Sequence, residues 1–350
     1  MKDFRVSNDA LDDVEELRQR VHDEGYLFFR SLIETGPIEE LRRELLEVCQ
    51  RGGWLKPGTD AADAVAHLDK ASVFPEPDFM FVYNEMLKLE SFNRFAHDPA
   101  LLGLTSRLVG EPTMPHPRLI GRANFPKAGS KRYDITTPPH QDFVFIQGTE
   151  ETYTAWVPIG DCPRELGGLA VLEGSGKGGV YAHPVADGTG GMGVDTSLLP
   201  GEWATADYRT GDVVFFHSLA VHKGLPNLTD RLRLSVDYRY SGVSQPKVAK
   251  ELLAHGDQLS WEEIYSDWTS TDFQYYWKQY DINLVPIDGS FGARRDVEAF
   301  ERAAQGDVTA RAALVSIVVR DRDPVKRQAA EEALQKLDAI AAATSGRASS

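Results

Sequence analysis

In the stretch TTPPHQDF, residues 136–143, a histidine and an aspartate stand two apart, His140 and Asp142, in a chain with nine histidines. Side chains at i and i+2 of an extended strand leave the same face, so this spacing predicts an imidazole and a carboxylate that can reach one cation together. A hydrogen-bonded surface couple has the same pattern, and a third donor from elsewhere has to decide between them. The segment GDVVFFHSLAVHKGLPNLTDRLRLSVDYRY, residues 211–240, offers His217 and His222. His222 is favoured because Arg233 follows eleven residues later in RLRLS; His217 reads as a packing histidine beside the site. Strand alternation puts Leu232, Leu234, Val236, Tyr238 and Tyr240 on one face and Arg233, Ser235, Asp237 and Arg239 on the other. An interior guanidinium next to a hydroxyl grips a carboxylate by its fork, and a buried arginine without such a partner is costly. Two histidines and one carboxylate on one side of an ion form the facial triad of non-haem Fe(II) oxygenases, which leaves positions for a 2-oxo acid and dioxygen.

The rest of the chain must carry these residues on a stable scaffold. At 350 residues, 42% hydrophobic and 26% charged, it can bury a large core as a soluble globular protein. A net charge of -15 and a pI near 5.1 repel nucleic acid and anionic lipid, so neither is an expected partner. No apolar run approaches the roughly 18–20 residues that cross a bilayer, and MKDFRVSNDALDDVEELRQ lacks the apolar core of a signal peptide, so a cytoplasmic location is expected. Cys49 and Cys162, far apart and without metal spacing, read as reduced structural thiols.

Periodicity predicts a helix over residues 9–24 on the stripe Leu11, Val14, Leu17 and Val21, with Gly25 as its stop, and a strand over 26–30. A second helix starts at Pro37 with Ile38, Leu41, Leu45 and Val48 on one side, and a third covers residues 91–108. Short strand-like runs follow at 118–125, 142–146, 153–159, 169–172, 212–217 and 232–240, which suggests an antiparallel barrel or sandwich. The glycine-rich piece 174–201 contains GTGGMGV, lacks a phosphate-loop lysine, and reads as a flexible connection. Asp307 and Asp323-Pro324 are cap signals for an antiparallel helical pair, and the tail 344–350 is expected to be disordered.

Taken in order, His140-Gln141-Asp142, TAWVPIGD, ELGGLAVLEGSGKGG, GDVVFFHSLAVHKGLPN and RLRLS, preceded by EGYLFFRSLI, resemble the phytanoyl-CoA dioxygenase family of Fe(II)/2-oxoglutarate-dependent oxygenases over about residues 10–245. The resemblance implies a mainly β fold with flanking helices: a double-stranded β-helix, or jelly-roll, cupin-like core. On that basis residues 1–245 form the dioxygenase core, helical over 1–115 and jelly-roll over 116–245, followed by a helical C-terminal extension over 246–343. It implies that His140, Asp142 and His222 hold iron and that Arg233, assisted by Ser235, grips the distal carboxylate of 2-oxoglutarate. Trp156 matches a position close to the co-substrate, though barrel core suits it equally, and Gln141 matches one lining the pocket. The chain departs from the family at Glu173 to Lys177, where Pro-Gly-Ser-His-Lys is common. Halogenating relatives replace the metal carboxylate by a small residue; Asp142 is present, which favours oxygen chemistry. The implied activity is hydroxylation of a small molecule with release of succinate and carbon dioxide. Desaturation, cyclisation or epimerisation by the same site, or a non-catalytic jelly-roll binding protein, are the alternatives. Arg122, within the basic stretch that also holds Arg118, Lys127, Lys131 and Arg132, and His183 are the candidate substrate contacts; a solvated loop accounts for the basic stretch as well. The C-terminal helices read as a packing or homodimer element.

Overall fold

The structure, a computed structural model, describes residues 1–129 and 136–348; Lys131 and Arg132 lie outside the described residues. After a short strand β1 (Lys2–Asp3), helix α1 (Val14–Glu24) starts where the Asp13 side chain accepts from the Glu16 N–H and ends at Gly25, whose φ of 85° suits glycine. Strand β2 (Tyr26–Phe29) follows, and α2 (Thr35–Arg51) buries the stripe Ile38, Leu41, Leu45 and Val48. Helix α3 (Pro77–Leu87) has no counterpart in the sequence reading. The single helix expected over 91–108 is two, α4 (Glu90–Phe95) and α5 (Pro99–Val109). Pro99 has no N–H to continue the ladder, and Asp98 instead caps the new helix by accepting from the Ala100 N–H.

The central strands are β3 (Thr113–Pro115), β4 (Ile120–Asn124), β5 (Thr152–Pro158), β6 (Leu169–Leu172), β7 (Trp203–Thr205), β8 (Val213–His217), β9 (His222–Gly224) and β10 (Arg233–Gly242). They form two sheets, one ordered β2-β8-β5-β10-β3 with β4 also on β10, the other β1-β7-β6-β9. A bridge from His140 to His222 extends the second sheet beyond β9. This connectivity is the double-stranded β-helix. Helices α1 to α5 cover the outer face of the larger sheet, where Leu234, Val236, Tyr238 and Tyr240 join their core. Trp156, Val214 and Phe216 face inward and meet Val171 and Ala204 of the smaller sheet. The alternation read in RLRLSVDYRY therefore has a cause on each side: an apolar helical layer outside, a polar site inside.

One expected strand is absent. Residues 143–146 form a helical turn, α6 (Phe143–Ile146), and Asp142 sits at its start with φ -61° and ψ -33°. Four consecutive apolar residues carry no periodicity to separate strand from helix. The Phe143 N–H goes to the Ser218 carbonyl and the Ile146 N–H to the Asp142 carbonyl, so the chain leaves the sheet directly after His140.

Beyond β10, β11 (Lys247–Val248) and β12 (Leu284–Val285) pair, and α7 (Trp261–Tyr265) lies between them in sequence. Ile264, Tyr265 and Trp277 pack on Met114 of β3. Then come α8 (Ser290–Ala304), α9 (Arg311–Arg320) and α10 (Pro324–Ala348). Leu314 and Ile317 of α9 bury against Ala330 and Leu337 of α10, which is the expected antiparallel pair, and Asp307 and Asp323 cap as foreseen. The helix continues to Ala348, into the tail expected to be disordered, as its alanine-rich sequence favours. The glycine-rich connection is packed rather than free. Gly191 lies so close to α9 that a Cβ there would come within 2.6 Å of the Ala313 backbone, and the Val185 N–H donates to Glu298 of α8.

Candidate metal centre and its cavity

The His140–His222 bridge sets the two imidazoles side by side. Each backbone N–H donates to the other residue's carbonyl at 3.0 Å, and the ring centroids are 4.1 Å apart. His140 Nδ1 lies 2.9 Å from the Pro138 carbonyl and His222 Nδ1 3.0 Å from the Ala220 carbonyl. A carbonyl can only accept, so each Nδ1 carries the proton and each Nε2 keeps a lone pair. Asp142 Oδ1 lies 3.8 Å from His140 Nε2 and 3.9 Å from His222 Nε2. The three ligand atoms fall within 4.8 Å of one another, and all three residues are buried.

A buried carboxylate needs compensation. Arg239 supplies it with a fork, NH2 to Oδ1 at 2.9 Å and Nε to Oδ2 at 3.2 Å, and the Thr154 hydroxyl donates to Oδ2 at 2.7 Å. Burial would raise the Asp142 pKa, but Arg239 and the two imidazoles outweigh it and hold the carboxyl well below its usual range. Burial and the neighbouring His222 take His140 down to about 3, and burial lowers His222 despite Asp142. Two neutral imidazoles and one carboxylate are the protonation states a divalent metal requires. Thr154→Val keeps the shape and removes one of the bonds that orient the carboxylate. It is expected to weaken divalent-metal binding about ten-fold or more without unfolding the protein, as titration with Mn(II) would read; unchanged affinity would dissociate Thr154 from the centre.

Arg233 is buried inside the sandwich. Its Nε donates to the Gly167 carbonyl at 3.0 Å, NH1 donates to the Ser235 hydroxyl at 2.5 Å, and its Cζ lies 5.8 Å from the Trp156 ring. Trp156 packs against Tyr208 with ring centroids 4.6 Å apart and the planes tilted by 50°. Among the described residues no carboxylate pairs with Arg233, and burial pulls it below an ordinary guanidinium. A dry cation without a counter-ion fits a carboxylate ligand arriving from outside the chain.

The family model described as phytanoyl-CoA dioxygenase matches residues 21–235, the span that holds His140, Asp142, His222 and Arg233. The chain belongs to the phytanoyl-CoA dioxygenase family. It is 26% identical over 256 residues to 1-deoxypentalenic acid 11-beta-hydroxylase of Streptomyces exfoliatus, covering 70% of this chain and 87% of that one. It is 24% identical over 281 residues to peroxisomal phytanoyl-CoA dioxygenase of Rattus norvegicus, covering 75% and 80%. Among solved structures it resembles the epimerase SnoN in complex with Fe3+, alpha ketoglutarate and nogalamycin RO, at 22% identity and a TM-score of 0.48 over 67% of this chain and 85% of that one.

Other expected site residues of this family member fall less simply. Gln141 points away from the cavity, since its neighbours His140 and Asp142 point in. Its amide donates to the Gly179 and Leu219 carbonyls, both at 2.7 Å, and accepts from the Tyr181 N–H at 2.8 Å. It clamps loops together, and both of its amide hydrogens are committed to backbone carbonyls. His183 Nε2 accepts from the Gln141 N–H at 3.1 Å, which places it behind the centre rather than in the cavity wall. His217, at the end of β8, is 3.8 Å from Glu151 and does not join the metal group. Arg122 does line the cavity, with its Nε committed to Asp237 at 2.8 Å.

The cavity, about 340 Å³, opens from His140 and Asp142. Phe79 and Tyr83 of α3, Phe145 of α6 and Met192 of the glycine-rich connection form part of its wall. The opposite wall comes from the C-terminal region: Lys250, His255, Phe291 of α8 and Val315 and Arg320 of α9. All five lie beyond the span the family model matches. Sequence reading missed this wall and Arg239. Alternation had placed Arg239 inside but could not reveal which carboxylate it would meet.

Proposed function

We propose that this protein is an Fe(II)- and 2-oxoglutarate-dependent dioxygenase that hydroxylates a small molecule. The observation that carries the proposal is the convergence of His140, Asp142 and His222, each histidine pinned through Nδ1 so that Nε2 faces the carboxylate. These three would hold the iron. Arg233 and Ser235 would hold the distal carboxylate of 2-oxoglutarate, with Trp156 as an apolar wall beside them. Once bound, iron and 2-oxoglutarate supply the oxidising power that converts a C–H bond to C–OH with dioxygen, succinate and carbon dioxide being the co-products. The chain's own contribution is placement. Arg239 and Thr154 fix the ligating carboxylate, and the aromatic cavity presents a substrate C–H bond to the centre while excluding water. A cytoplasmic setting belongs to the same reading and suits two buried free cysteines; among the described residues no helix is long and apolar enough to cross a membrane. A homodimer through the C-terminal helices is supported by exposed Val297 and Val325, and sedimentation velocity would test it.

Adding 2-oxoglutarate to the anaerobic Fe(II) protein is expected to produce a visible charge-transfer band, and admitting air with a substrate is expected to release succinate. No band from metal-replete protein would sink the proposal. Arg233→Ala is expected to raise the 2-oxoglutarate concentration needed for the band by an amount equivalent to roughly 2–5 kcal/mol, the usual cost of removing one partner of a buried charge pair. An unchanged half-saturation would take Arg233 out of the co-substrate site.

A further inference from the structure

Among the described residues, six of the side chains lining the cavity are cationic and three are acidic, in a chain where acids outnumber bases 53 to 38. The local inversion of charge calls for an account of each cation. Five are spent on the protein itself. Arg239 holds Asp142, Arg122 holds Asp237, and Arg295 holds Asp296. Arg118 and Arg320 share Asp257, at 2.7 Å each. Lys250 is different. It is the sixth, it lies just after β11 on the wall supplied by the C-terminal region, and its ammonium makes no hydrogen bond or ion pair among the described residues. Burial pulls it down to about 8, opposed by Glu251 and aided by Arg118, Arg239 and Arg320, so most of it stays charged at neutral pH. A second donor is also unspent: the Ser72 hydroxyl, on the same lining, is buried without a hydrogen-bond partner among the described residues.

We propose that the substrate is a free monocarboxylic acid with an apolar body, and that Lys250, from outside the part of the chain its family shares, binds its carboxylate. The proposal rests on reading the centre as an iron/2-oxoglutarate site, and it specifies what occupies the neighbouring space. Lys250, the one lining cation without a partner among the described residues, matches a carboxylate monoanion. The apolar body has Phe79, Phe145, Phe291 and Val315 to lie against. A volume of about 340 Å³ is at the small end of ligand pockets, which run from about 300 to 1,000 Å³, and it admits a small acid but not a nucleotide-bearing carrier as well. Ser72 gives a second hydrogen bond to the same acid. The C-terminal region thereby becomes a specificity element for the reaction rather than an appendage.

The test compares decanoate, decanol and decanoyl-coenzyme A by calorimetric titration of the full chain, anaerobic and loaded with Fe(II) and 2-oxoglutarate, then again without metal. Wild type is expected to bind decanoate about ten-fold or more tightly than decanol, the range of a charged hydrogen bond, and more tightly than the thioester. Lys250→Met, with similar length and no charge, is expected to lose the preference for the acid, and Lys250→Arg to keep it. Both variants should retain the charge-transfer band and the thermal midpoint, which separates loss of the anchor from loss of the iron site or the fold. Equal binding of acid and alcohol by wild type, a preference that survives Lys250→Met, or tightest binding of the thioester would each overturn the proposal. Absence of the band in wild type would instead remove the iron reading, leaving the metal-free titrations to judge Lys250.

Discussion

His222→Ala is expected to abolish the Fe(II)/2-oxoglutarate charge-transfer band and with it substrate-dependent succinate release, whereas His217→Ala leaves both in place. The two histidines are five residues apart in FFHSLAVHK, and in the sequence only the offset to Arg233 favours His222. The fold separates them. His222 opens β9, hydrogen-bonds backbone to backbone with His140, and turns its Nε2 toward Asp142. His217 closes β8 in the other sheet, lies 5.5 Å from the Tyr153 ring, and approaches Glu151. Removing an outer partner of a metal ligand costs about 10–100-fold in affinity, and removing the ligand itself costs more. The outcome is therefore a missing band at metal concentrations that saturate wild type. Circular dichroism guards against the trivial explanation, since His222 is buried and its truncation leaves a small cavity. The opposite pattern, with the band lost only in His217→Ala, would mean that the third ligand comes from β8.

How much of this was legible beforehand follows from the range of the interactions involved. The face assignment along Arg233 to Tyr240 came out residue for residue because a strand between two unlike environments writes period two into its own sequence. His140 and Asp142 do act together, but by another path than the one expected. The strand ends at His140, and a helical turn at Asp142, not i and i+2 on a pleat, returns the carboxylate to the imidazoles. The position of Gln141 was carried over from family resemblance, yet its own neighbours decide its role, and three backbone groups consume its amide. Arg239 and Lys250 were hidden for a different reason. Each gains meaning from a partner, or from the lack of one, about a hundred residues or more away in the chain, and no local pattern encodes such a pairing. The C-terminal helices were legible as helices from their caps, while their place as a cavity wall depends on contacts with the glycine-rich connection that only the fold creates.

Arg239→Met is expected to destabilise the metal-free protein by about 3–5 kcal/mol, the cost of stranding a buried charge, with the urea slope unchanged. Methionine keeps much of the arginine's length and apolar contact, so the loss isolates the guanidinium. The physical reason lies in the ledger around Asp142. The two histidines are held neutral, Thr154 offers a single neutral hydrogen bond, and among the described residues Arg239 alone brings a full positive charge into hydrogen-bonding contact with the carboxylate. A double-mutant cycle decides whether Arg239 acts through Asp142 or through general packing. In an Asp142→Asn background the charge to be balanced is gone, so Arg239→Met should cost far less than it does in wild type. Additive penalties would show that the fork at 2.9 and 3.2 Å is incidental. Strong coupling would make Arg239 the positioning residue of the centre, the group that keeps a charged ligand buried and aimed before any metal arrives.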